Sequence, residues 1–190
     1  MFNDVALTAD GGFYTTEMYN IMTPFEQVAA AGVVGKDTGV VWYWTADGGF
    51  APVAGSSGSF PNGIVINDAE DTLYVNYWFS GLTIKLDINS GDVLAKHQGG
   101  RADNLTLVDG AVWAAKHDMT FMEYAEGCPA DSVNCFLPFS IYELDLDDLT
   151  EKNAWSFDSE IFGFGTVATP VGLSLIHISE PTRRTPISYA

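Results

Sequence analysis

One short pattern opens four separate stretches of this chain, and that recurrence narrows the fold more than any other feature. It reads Asn3-Asp4-Val5-Ala6-Leu7-Thr8, then Asn62-Gly63-Ile64-Val65-Ile66-Asn67, then Asp103-Asn104-Leu105-Thr106-Leu107-Val108. A fourth start is Gly165-Thr166-Val167-Ala168-Thr169-Pro170. After each of the first three comes a turn and a second strand carrying an aromatic: Asp10-Gly11-Gly12 before Phe13-Tyr14, Glu70-Asp71 before Leu73-Tyr74, Asp109-Gly110 before Val112-Trp113. These are hairpin signals. Third strands follow at Val40 to Trp44, Thr83 to Asp87 and Ser140 to Asp145, and fourth strands are expected to begin near Phe50, Val93 and Trp155.

Four antiparallel strands per unit, repeated with insertions, is the pattern of propeller blades. A β-sandwich is the main alternative, but it does not require one polar residue type at the first position of successive units. The sequence therefore predicts an all-β chain. It predicts blades near 3–58, 62–98 and 103–158, and a further strand from 165.

Two insertions fall at the same place in their units, between the second and third strands. One runs from Met18 to Asp37, where Pro24 to Ala29 is expected to form a helical turn; the other runs from Asp118 to Pro138. Loops at one end of a propeller shape the mouth of its pocket, so these are expected to bear on substrate selection.

With 47% hydrophobic and 13% aromatic residues, 190 residues suffice for a globular core. The net charge of −17, from 8 basic and 25 acidic residues, repels phosphate backbones and anionic lipid. Nucleic acid is excluded as a natural partner, and the charge serves solubility or the gathering of a divalent cation. No run approaches the roughly 18 apolar residues of a spanning helix. Cys128 and Cys135 leave two readings: free thiols, consistent with a cytoplasmic protein, or a closed loop that favours a periplasmic or secreted one.

From Leu173 to Arg183 the chain reads LSLIHISEPTR, which resembles the in-frame translation of a sequencing-library adapter. Residues 173–190, His177 among them, are therefore set aside from the fold expectation, which rests on 1–172.

The first strand of every propeller blade lines the central channel, so Asn3, Asn62 and Asp103 are expected to face one another. Amide and carboxylate oxygens together form the ligand set of a hard cation such as calcium, whereas zinc or copper would call for His and Cys. The competing reading is that Asn and Asp are good residues for strand entry.

The stretches FNDVALTADGGFYTTEM, FPNGIVINDAEDTLYVNYW and ADNLTLVDGAVWAAKH resemble the calcium-binding strands of the gluconolactonase and regucalcin family, more closely its paraoxonase-like arylesterase branch. That resemblance implies a six-bladed β-propeller of which about three four-stranded blades and one strand are present. It implies calcium, or another divalent cation, held by Asn3, Asn62, Asp103 and Asn104, with Asp4 matching a ligand of a second, structural ion. It implies hydrolysis of a small lactone or ester by a monomeric enzyme. Asp103 and His117 are the candidates for catalytic roles, with a bystander polar histidine as the competing reading of His117.

The family's glutamate ligand and the paraoxonase histidines of an earlier blade have no counterpart here. This is expected if Met1 is an internal methionine or an artefactual start. The open ring is then expected to fold poorly alone and to be inactive by itself. A non-catalytic, ligand-binding propeller, or a strictosidine-synthase-like one, is the alternative function.

Overall fold

The computed structural model describes residues 1–128, 135–158 and 165–171, and the backbone alone of 174–178. Beyond those four stretches, the segment set aside in the sequence lies outside the described residues.

Three four-stranded antiparallel sheets follow one another along the chain. The first contains β1 (Phe2–Leu7), β2 (Phe13–Glu17), β3 (Val40–Thr45) and β4 (Gly49–Pro52), in that order across the sheet. The second contains β5 (Pro61–Ile66), β6 (Thr72–Tyr77), β7 (Leu82–Asp87) and β8 (Val93–Gln98). The third contains β9 (Arg101–Val108), β10 (Ala111–His117), β11 (Phe139–Asp145) and β12 (Glu151–Phe157). A hairpin of β13 (Val167–Val171) and β14 (Ser174–Ile178) completes the described chain, and β14 lies inside the segment the sequence reading left out. These meandering four-stranded sheets are blades of a β-propeller, the fold class expected from the repeat.

Each blade presents alternate residues to its two neighbours, the period of a strand buried on both faces. Along β6, Leu73, Val75 and Tyr77 join Ala6, Tyr14 and Val41 of the first blade in one core. Tyr74 points the other way, into a second core with Leu105, Val112 and Tyr142 of the third blade. A third core sets Trp113, Phe139 and Ile141 against Ala168 of β13. Complete burial of each such aliphatic side chain contributes roughly 1.5–3 kcal/mol, so the cores between blades, rather than the outer strands, hold the stack together.

The innermost strands lie side by side in series, β1 against β5, β5 against β9, and β9 against β13. The outermost strand of the third blade, β12, is exposed over nearly its whole length and begins at Glu151, ahead of the expected Trp155. Its opening Glu151-Lys152-Asn153 is polar because that edge faces solvent, which removes the apolar signal that would have marked its start.

The first insertion forms α1 (Phe25–Val33), longer than the helical turn expected there. The second carries α2 (Phe121–Gly127), whose start is fixed by a capping box between Thr120 and Glu123. Both helices sit over the same end of the blades, where Ala29, Trp78, Phe79 and Met119 form a separate core with Phe60, Phe121 and Tyr124 packed against it.

Candidate functional site

In each of the three four-stranded blades the innermost strand breaks its ladder at the same place. Between β1 and β2 the pairing passes from Phe2↔Glu17 to Val5↔Thr15, so Asn3 and Asp4 together oppose Thr16. Between β5 and β6 it passes from Pro61↔Tyr77 to Ile64↔Val75, so Asn62 and Gly63 oppose Asn76. Between β9 and β10 it passes from Ala102↔Lys116 to Leu105↔Ala114, so Asp103 and Asn104 oppose Ala115. Two residues against one is a β-bulge, a device that re-aims side chains. The three polar pairs singled out in the sequence are these bulges.

Hydrogen bonds from the preceding blade hold two of them. Thr16 Oγ1 donates to the Asn62 carbonyl over 2.6 Å, and Asn76 Nδ2 donates to the Asp103 carbonyl over 2.9 Å. The buried Asn76 amide is itself fixed by Thr83 Oγ1, which donates to its Oδ1 over 2.6 Å. On the far side, the Asn104 N–H donates to the Thr166 carbonyl over 2.9 Å, tying β9 to β13. Gly63 is required by this crowding, because a Cβ there would stand 2.3 Å from the Asp103 carbonyl oxygen.

Asn3, Asp4, Asn62, Asp103, Asn104 and His117 all line one cavity of about 790 Å³. Asn62 is buried, and its Oδ1 has no hydrogen-bond partner among the described residues. Asn3 is exposed, and its Nδ2 lies 3.5 Å from Met18 Sδ, leaving the amide oxygen for other partners. Asp4 accepts the Val5 N–H at Oδ1 over 2.8 Å and the Ile64 N–H of the next blade at Oδ2 over 2.9 Å. Burial raises the Asp4 pKa, and the two N–H donors oppose that shift.

His117 is buried at the end of β10. Trp78 Nε1 donates to its Nδ1 over 3.0 Å, so the neutral ring carries its proton on Nε2. That nitrogen lies 3.6 Å from Asp103 Oδ2, an electrostatic contact longer than a good hydrogen bond. Desolvation pushes the His117 pKa down to about 3, opposed by a hydrogen bond to the Gly165 backbone and the field of Asp118, so the imidazole is a neutral dipole at ordinary pH. Arg101 stands over the other side of this arrangement, its guanidinium carbon 5.6 Å from the Trp78 ring centroid.

Much of the remaining lining of the cavity is aromatic. Tyr19, Phe25, Phe60, Trp78, Phe121 and Tyr124 contribute to it, drawn from both insertions and from the segments flanking β5 and β6. Burial raises the Tyr124 hydroxyl pKa, and the Asp103 charge raises it further. Trp78, Asn76 and Thr16 were not singled out in the sequence. Trp78 lies in the apolar run Tyr77-Trp78-Phe79, which reads as core, and nothing local marks its N–H as a partner for a histidine.

A disulfide joins Cys128, the C-cap of α2, to Cys135 just before β11, with Cα atoms 5.1 Å apart. It anchors the helix that supplies Phe121 and Tyr124 to the cavity. Among the described residues, no group of three or more His, Cys, Asp or Glu side chains is clustered as for a metal, and no helix is long and apolar enough to cross a membrane. The polar lining of the cavity combines the amides of Asn3, Asn62 and Asn104 with the carboxylates of Asp4 and Asp103.

No family model and no curated protein matches this chain. Among solved structures it is similar to a gluconolactonase of Xanthomonas campestris, at 17% identity and a TM-score of 0.53, over 88% of this chain and 50% of that one. It is similar to a luciferin-regenerating enzyme at 13% identity and a TM-score of 0.53, over 88% and 48% of the two chains. It is also similar to the hydrazine synthase of Kuenenia stuttgartiensis at 12% identity and a TM-score of 0.53, over 81% and 36%. The chain thus spans half or less of each structure, and at such identities the likeness shows the propeller fold alone.

Proposed function

We propose that these blades carry the cation-holding floor of a calcium-dependent hydrolase of small lactones or esters, the activity belonging to a ring that contains them. The observation that supports this most is Asn62 Oδ1, a buried amide oxygen without a protein partner, on the same cavity as Asn3, Asp103 and Asn104. Leaving such a group unpaired costs about 1–3 kcal/mol, and a hard cation would satisfy it. Asn3, Asn62, Asp103 and Asn104 would hold the ion. Asp4, already bound to two backbone N–H groups, would serve a second, structural ion. A different hard divalent cation would use the same oxygens.

When bound, the cation supplies Lewis-acid polarisation of the scissile carbonyl and charge for the oxyanion. The chain's own residues do the rest. Asp103 would accept a proton from water at the cavity floor. His117 would act on Asp103 only through the electrostatic contact of its Nε2, 3.6 Å from Oδ2, its N–H being bound to the Gly165 backbone and its tautomer held by Trp78. The aromatic wall sheds water from the substrate and binds its apolar part.

The test is a pair of measurements on the complete ring that contains these blades, as wild type and as Asp103→Ala: calcium binding by calorimetry, and hydrolysis of a panel of lactones and aryl esters. Loss of both in the variant, and loss of turnover under chelation, is the expected result. Turnover that persists in a chelator overturns the reading.

A second reading, a propeller that binds ligand without turnover, is supported by one observation: the Nδ1 acceptor of His117 is occupied by Trp78, so the imidazole has no second acceptor to offer a water. Calcium binding with no turnover on the whole panel would favour it. The Cys128 to Cys135 disulfide supports an oxidising compartment for either version.

A further inference from the structure

The far ends of the innermost strands, away from the cavity, carry a polar position that recurs from blade to blade. Ala6 pairs with Tyr14 in the first blade and Val65 pairs with Tyr74 in the second, so the two tyrosines are equivalent. Across the third strand of its own blade, Tyr14 faces Tyr43 and Tyr74 faces Lys85. Each tyrosine also feels one carboxylate from its own blade's first turn and another from the next blade. These are Asp10 and Glu70 around Tyr14, and Asp71 and Asp147 around Tyr74.

The two seams differ in where a cation comes from. At Tyr74 the chain supplies it: Lys85 Nζ donates to the Asp147 carbonyl over 3.2 Å and lies 3.8 Å from its carboxylate. The Tyr74 hydroxyl is satisfied beside it, donating to the Leu146 carbonyl over 2.9 Å. At Tyr14 the residue equivalent to Lys85 is Tyr43, and neither Asp10 nor Glu70 forms an ion pair among the described residues. Tyr14 is only 6% exposed, yet its hydroxyl makes no hydrogen bond among the described residues. The Tyr43 ring stacks on it with centroids 4.4 Å apart and gives its own hydroxyl to Asp10 Oδ2 over 3.3 Å.

Both carboxylates are fixed in place. The Thr8 hydroxyl and the Gly12 N–H lower the Asp10 pKa, so this side chain is ionised at ordinary pH. Glu70 Oε1 accepts the Ala9 N–H of the first blade over 2.6 Å, which pins the second carboxylate to the seam. Burial, with Tyr43, Asp10 and Glu70 adding to it, pushes the Tyr14 pKa up to about 12, so its hydroxyl stays neutral. Two carboxylates and a hydroxyl oxygen suit a compact cation with several N–H donors. Lys85 shows which cation a seam of this kind takes: an ammonium on a mostly buried alkyl stem, the side chain being 15% exposed.

We infer that the seam between the first two blades, at the end opposite the cavity, binds a primary alkylammonium group, from a free amine or from a lysine side chain. Asp10, Glu70 and Tyr14 are its recognition residues. The site is independent of the hydrolase reading.

The probe is n-butylammonium, which copies the Lys85 side chain, added to the ring that contains these blades; the backbone amides of Ala9 and Gly12 are the NMR reporters. Saturable shifts of both are expected. Tetramethylammonium at the same ionic strength carries the charge without an N–H donor and is expected to leave them in place. Glu70→Gln keeps an acceptor for the Ala9 N–H and removes the charge, and affinity is expected to fall about tenfold with the loss of one charge-assisted contact. Tyr43→Lys supplies the ammonium from within the chain and is expected to abolish the shifts without lowering the melting temperature. Putrescine and N-acetyl-lysine methylamide separate the two sources. Tighter binding of the first assigns a free amine, tighter binding of the second a partner's lysine, and either sustains the site. Shifts that tetramethylammonium reproduces, or n-butylammonium binding unchanged by Glu70→Gln, overturn it.

Discussion

The indole N–H of Trp78 donates to Nδ1 of His117 over 3.0 Å, and this one bond decides which face of the imidazole carries the proton. Trp78→Phe keeps the ring packing and removes the donor. Proton-coupled nitrogen NMR of the imidazole is expected to show Nε2–H alone in wild type and a mixture of tautomers in the variant. Turnover is expected to fall about tenfold, the equivalent of one hydrogen bond of about 1.4 kcal/mol. An unchanged tautomer would show that Asp103 and Gly165 suffice to hold it.

Gly63→Ala places a methyl group against the Asp103 carbonyl and the backbone of Asn104. Because the obstruction is the backbone of β9 throughout, β5 and β9 must separate, at a cost of roughly 1–3 kcal/mol. Cation affinity is expected to fall with the melting temperature, although the substitution removes no ligand. A variant that melts lower but binds calcium as before would separate the spacing of β5 and β9 from the site.

His97 gives the stability a pH dependence. Burial lowers its pKa, with Lys116 adding to the shift and Glu151 opposing it. A histidine held below its unfolded value of about 6.5 leaves the unfolded chain binding the proton more readily. Its contribution is present above that value and declines as pH falls through it. The urea midpoint is expected to be lower at pH 5.5 than at pH 7.5, with a smaller difference in His97→Gln. Equal differences in the two proteins would assign the dependence elsewhere.

Reduction of the Cys128 to Cys135 bond, or the Cys128→Ser/Cys135→Ser double variant, frees the C-terminus of α2. Closing so short a loop contributes about 2–3 kcal/mol in the chain-entropy account. The loss is expected to be local: faster amide exchange across α2 and weaker binding of aromatic esters against Phe121 and Tyr124, with little change in β10. Protection lost equally in β10 and β11 would show that α2 and the third blade unfold together.

Much of this architecture could be read in the sequence because the repeat is carried by residues with two constraints at once. Asn3, Asn62 and Asp103 each lie near the start of an innermost strand and each line the same cavity, so they recur at matching positions. The capping box from Thr120 to Glu123 marks the start of α2 in the same local way. The bulges were hidden, because two residues opposing one is a property of the pairing and not of either strand. Thr16 and Asn76 escaped notice for that reason: they matter by standing opposite a bulge. Trp78 escaped because an aromatic in an apolar run looks the same whether or not its N–H has work to do. The start of β12 was missed because a solvent-facing outer strand has no apolar period to detect.

The carbonyls of Asn62 and Asp103 are gripped by Thr16 and Asn76, residues of the blade before. The floor of the cavity is thus assembled across blade boundaries, and the modular unit of the site is a seam rather than a blade. A circularly permuted chain opened in an outer strand, such as β8, should keep both grips and with them the shape of the cavity floor. One that transplants a single blade intact into a foreign ring should bring its Asn or Asp side chain along and lose its aim.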